Sequence, residues 1–108
     1  MGKFTSHAEP VTPHQLELLV ILMEECAEVT QRASKAIRFG LEEVQPGQEY
    51  TNAQRLAHEI GDINEVVNRL CSVDVGAIKR FFINNGVKHK SKQLDKYMQT
   101  TPVEGANK

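Results

Sequence analysis

The 108-residue chain has no tryptophan, two cysteines, four prolines and almost no net charge. Two cysteines with no export signal read as free thiols of a reducing compartment. No run of about 18 apolar residues occurs, so neither a transmembrane helix nor a membrane partner is expected. The first residues lack the charged-then-apolar order of a secretory signal, and the expected location is cytoplasmic. A formal net charge of −1 argues against an undifferentiated nucleic-acid binder. Strand-like alternation and internal repeats are also missing. What is present is 40% hydrophobic and 25% charged residues, the composition of a globular domain. A single domain of this size buries roughly two thirds of its unfolded surface.

The near-zero charge hides an asymmetry. Residues 1–74 carry 12 of the 14 acids and 6 of the 13 bases, a net of −6. Residues 75–108 carry 7 bases and 2 acids, a net of +5. Such a split suits a ligand with two needs, a metal ion plus a phosphate. It equally suits two solvated faces that pair with each other.

The periodicity predicts an all-α bundle: a long helix hairpin plus two shorter helices, completed by oligomerisation. Residues 1–12 are expected to be a flexible arm, 13–98 a helical domain and 99–108 a disordered tail. Thr12 suits an N-cap, Pro13 the first helical position, and Gln15 completes a capping box. The first helix then runs to about Phe39, where Gly40 is a stop. At about 1.5 Å per residue it is about 40 Å long. Leu16, Leu19, Val20, Met23 and Ala27 form one apolar stripe. Leu18, Leu22, Cys26, Val29, Ala33 and Ile37 form a neighbouring one. Apolar surface that broad needs neighbours on two sides, and a second copy of the chain is the expected one.

Pro46 and Gly47 mark residues 40–51 as a loop. A second helix starts near Thr51 or Asn52 and runs to about Cys71, with Ala53, Leu56, Ala57, Ile60, Ile63, Val67, Leu70 and Cys71 on one face. A third is expected from a cap at Asp74 to the turn signal Asn84-Asn85-Gly86, and a fourth over residues 87–98.

The chemistry lies in acidic pairs. Glu25 and Glu28 stand i, i+3 on the first helix, and Glu59 and Asp62 stand i, i+3 on the second. Glu59 flanks the apolar stripe beside Ile63 and Val66, so it points along the helix–helix seam. Antiparallel packing brings the four carboxylates together, where they repel unless a cation sits between them. Hard divalent ions such as Mg²⁺ or Mn²⁺ favour oxygen ligands. Solvated helical glutamates are the plainer alternative. A di-iron site wants Glu-x-x-His, and no glutamate here has a histidine three residues later.

Glu24-Glu25-Cys26-Ala27-Glu28 followed by Glu59-Ile60-Gly61-Asp62 resembles the double motif of the MazG-like all-α nucleoside triphosphate pyrophosphohydrolases. Dimeric dUTPases, dCTP pyrophosphatases and phosphoribosyl-ATP pyrophosphohydrolases belong to the same superfamily. The resemblance covers about residues 13–97. Thirty residues separate Glu28 from Glu59, slightly long for the family, as an enlarged loop around Pro46-Gly47 would make it. The resemblance implies a homodimer or tetramer. It implies Mg²⁺-dependent attack of water on a nucleoside triphosphate, giving monophosphate and pyrophosphate. Position by position it makes Glu25, Glu28, Glu59 and Asp62 the metal ligands, and Glu24 the residue that orients or deprotonates the water.

A carboxylate cage repels a triphosphate, so cations must offset it. The family places lysine, arginine and asparagine after the second motif, where Asn84, Asn85, Lys88 and Lys92 are the nearest matches and Arg80 a further one. Lys88, Lys92 and Lys96 stand at i, i+4 and i+8. The alternative is a solvated lysine face, or a non-enzymatic helical oligomer binding nucleic acid or a protein through that stripe. Lys35 and Arg38 are best read as favourable charges at a helix C-terminus. Phe81 and Phe82 are expected in the core or a dimer contact. Gly61 costs about 1 kcal/mol of helix propensity relative to alanine, and close helix approach or room for a metal would explain it. The base is not legible.

Overall fold

The computed structural model describes residues 9–103, and all regular structure among them is helical. The helices are α1 (Pro13–Phe39), α2 (Asn52–Cys71) and α3 (Arg80–Tyr97). Among the described residues no helix is long and apolar enough to cross a membrane. The expected arm and tail lie largely outside the described residues; residues 9–12 and 99–103 carry no helix.

α1 begins as expected. The Thr12 hydroxyl accepts from the Gln15 amide N–H at 3.1 Å, and the Gln15 side chain accepts from the Thr12 N–H at 3.0 Å. It ends at Gly40, whose φ of +96° is strained for any residue with a Cβ. α2 repeats the device with Thr51 as cap and Gln54 as the reciprocal partner. Asn52, the other candidate cap, is instead the first helical residue. It is buried, and its side-chain amide donates to the Gly40 carbonyl at 2.8 Å and to the Glu43 carboxylate at 3.0 Å. The loop is therefore fastened to the start of α2 and the end of α1. At the other end, the Gln15 side chain donates to the Val75 carbonyl at 2.9 Å, just past α2.

The chain divides into two compact units, residues 1–77 and 78–108. The first has a small core of Leu18, Val66 and Leu70, with Leu19, Ile21, Leu22, Val75 and Ala77 packed around it. The expected stripes divide. Leu18 is buried, and Leu19, Leu22, Val29 and Ala33 are half-buried, while Leu16, Val20, Met23 and Ala27 are exposed. Ile37 is also open, at 86%.

The second unit corrects one expectation. The third and fourth helices are a single helix, α3, which passes through Asn84-Asn85-Gly86 unbroken. One internal glycine costs about 1 kcal/mol, which weakens a helix without ending it. Asp74 is not a cap but part of the turn after α2, and α3 begins at Arg80, with Lys79 at the cap position making no side-chain cap bond. Phe81 and Phe82 stack edge to face at 5.4 Å and are both exposed, so they form no core among the described residues of this unit.

Candidate metal centre

Spacing by seven explains the site. On α1, Leu18, Glu25 and Arg32 stand seven apart, which returns to nearly the same helix face. On α2, Asn52, Glu59 and Val66 do likewise. Leu18, Arg32, Asn52 and Val66 are buried, and Glu25 and Glu59 are half-buried. The α1–α2 seam is thus apolar around Leu18 and Val66 and turns polar in the middle. Asp62, one turn after Glu59, joins the polar layer from the exposed side.

One carboxylate oxygen each from Glu25, Glu59 and Asp62 lie within 4.8 Å of one another. Three of the four expected ligands therefore converge. Glu28 is outside that group, yet its charge acts on both Glu25 and Glu59. Its carboxylate belongs to an exposed residue, as a position turned away from the seam must be. Glu24 is exposed as well, about 100° around the helix from Glu25.

Crowding shows in the proton affinities. The Glu25 carboxyl is raised above its ordinary 4.5, first by burial, then by hydrogen bonding with Asp62, then by the charges of Asp62, Glu59 and Glu28. Glu59 is raised above 4.5 by burial, by hydrogen bonding with Asp62 and by the charges of Glu28 and Asp62, while Arg32 pulls it back. With all three carboxylates ionised none can donate, and the solvent-excluded Oε2 of Glu25 has no hydrogen-bond partner. A proton held between carboxyls, or a cation among them, relieves this. A hard divalent ion fits the all-oxygen donor set.

Arg32 is what the sequence reading missed. Its side chain is 9% exposed, and Nε and Nη1 are shut off from solvent without a hydrogen-bond partner. The available signal was its seven-residue spacing from Glu25 and Leu18, which puts an arginine at a seam position.

Asn84, Asn85, Lys88 and Lys92 are exposed side chains of α3 in the second unit. Lys92 borders a shallow open depression on α3 shared with His89, Gln93, Lys96 and Tyr97. The Lys96 ammonium lies 5.2 Å from the Tyr97 ring centre. At the end of α1, Arg38 and Lys35 lie 4.9 and 5.9 Å from the Phe39 ring centre. Cation–π contact and the helix C-terminus account for both charges. A Cβ added at Gly61 meets nothing within 4 Å, so no close approach among the described residues requires glycine there.

No family model, no characterised protein and no solved structure matches the chain. The functional reading therefore rests on the motifs and on the carboxylate geometry.

Proposed function

We propose that this protein is a divalent-metal-dependent nucleoside triphosphate pyrophosphohydrolase, acting on a nucleotide of the deoxy series and releasing monophosphate and pyrophosphate. The observation that carries the proposal is the convergence of Glu25, Glu59 and Asp62 from two helices, at the positions of the E-E-x-x-E and E-x-x-D motifs. Glu25, Glu59 and Asp62 would hold Mg²⁺, or Mn²⁺ in its place, with Glu28 completing the acidic shell. A divalent ion bound there supplies neutralisation of phosphate oxygens and a more acidic water. Glu24, exposed beside Glu25, is the proposed group that orients the attacking water or accepts its proton. Asn84, Asn85, Lys88 and Lys92 are the proposed phosphate contacts.

The same proposal reads α1 and α2 as an antiparallel hairpin and the molecule as a homodimer or tetramer. Leu16, Val20 and Met23 are 56%, 44% and 71% exposed, and a second copy would cover them. Both cysteines are free thiols, as a cytoplasmic setting allows.

The test is a panel of nucleoside triphosphates with Mg²⁺ or Mn²⁺, read as pyrophosphate against phosphate release. Pyrophosphate release that needs the ion, and that Glu28→Gln or Asp62→Asn abolishes with helix content intact, supports the proposal. No turnover on the full panel with either ion sinks it. The exposed lysines of α3 favour a second reading, a non-enzymatic binder of nucleic acid or protein. Salt-sensitive nucleic-acid binding lost on Lys88→Ala and Lys92→Ala would support that one instead.

A further inference from the structure

We infer that Arg32 is an anion contact of the carboxylate centre, placed to receive an oxygen of a metal-bound phosphate group. The inference rests on the metal-dependent phosphohydrolase reading above and adds to it the cation that acts from within the seam. Arg32 is more than nine-tenths buried on α1. Nε and Nη1 carry three N–H donors, since a guanidinium has one on Nε and two on each terminal nitrogen. Neither nitrogen has a hydrogen-bond partner, and neither is reached by solvent.

A buried guanidinium without a partner is costly unless something supplies acceptors. The carboxylates do not discharge that role here. Among the described residues Arg32 makes no ion pair within 4.0 Å. Its charge nonetheless acts on Glu59, which puts it within electrostatic reach of the centre. Buried donors without acceptors thus stand within electrostatic reach of three converging carboxylates. A metal ion with a phosphate oxygen completes both at once. Arginine suits the phosphate side because it stays charged and its planar donors match phosphate oxygens.

Calorimetry on the full-length protein separates the parts. Mg²⁺ alone is titrated first, then pyrophosphate at constant saturating Mg²⁺, for the native protein, Arg32→Gln and Arg32→Met. Methionine fills the buried position without a charge, so it carries the test if glutamine does not fold. Expected is Mg²⁺ binding that is kept or tightened in the variants, because a neighbouring cation is gone. Pyrophosphate affinity falls by roughly tenfold or more, the worth of a charge-assisted hydrogen bond. Unchanged pyrophosphate affinity with Mg²⁺ binding intact overturns the inference alone. Loss of Mg²⁺ binding in both variants also overturns it, making Arg32 a support for the ligands. Failure of the native protein to bind Mg²⁺ overturns the metal reading, and this inference with it.

Discussion

The α1–α2 unit and α3 carry charges of opposite sign, yet the two kinds of charge are held differently. The acids that matter sit in a seam. Glu25 and Glu59 are half-buried, share hydrogen bonding with Asp62 and hold protons more tightly than ordinary carboxylates, the charge of Glu28 adding to the effect at both. The lysines of α3 are solvated, and no residue of that helix is buried. Charge in water is screened and adjusts freely, so a lysine stripe states little about its partner. Charge held in a seam against its own kind is a constraint that a ligand can relieve. The acidic half of the charge split therefore carries far more functional information than the basic half.

Five tests would break or sharpen this contrast. Leu70 is the fully buried centre of the small core. Leu70→Ala should destabilise the first unit by about 2–5 kcal/mol, measured by chemical denaturation. An unaltered midpoint would mean that the seam is not where the stability lies. Asp62→Asn should lower metal-dependent pyrophosphate release by roughly a hundredfold or more, beyond the loss typical of a group that only supports a ligand. In the absence of divalent ions the same variant should melt at a higher temperature, because one repelling charge is gone.

pH gives a third test. Glu25 and Glu59 bind protons more tightly folded than unfolded. Their contribution to stability is then fully present below the ordinary 4.5 and is lost as pH rises through the raised folded values. Metal-free protein should accordingly lose melting temperature across that window, after allowance for other groups by comparison with Glu25→Gln/Glu59→Gln. Mg²⁺ should restore the loss at neutral pH and do little at pH 4. A pH-independent difference between the two proteins would count against the coupling.

The smallest effects belong to open positions. Gly61→Ala meets open space in the single chain and should stabilise α2 by about 1 kcal/mol. Destabilisation instead would show that another copy approaches there. Lys88→Ala should shift stability by no more than about 0.5 kcal/mol, in contrast with the seam positions.

Much of the fold was legible because its signals are local. Thr12, Pro13 and Gln15 start α1, Gly40 ends it, and Thr51 with Gln54 starts α2, each through backbone bonds within a few residues. The acidic pairs were legible for the same reason, since i, i+3 spacing dictates a shared helix face. The misreading of α3 had a local cause too. Asn-Asn-Gly is a turn signal in isolation, but one glycine costs only about 1 kcal/mol and α3 runs through it.

What no local signal could supply is which side of each helix meets the other. Glu28 and Glu25 look equivalent by motif, and only the packing of α1 on α2 puts Glu25 in the converging group and leaves Glu28 beside it. Arg32 looked like an ordinary helical cation until the seam enclosed it. Short-range hydrogen bonding and periodicity set where the helices are and which carboxylates can pair. Burial, which depends on atoms distant in the chain, decided which of those charges lose their water and so which ones call for a ligand.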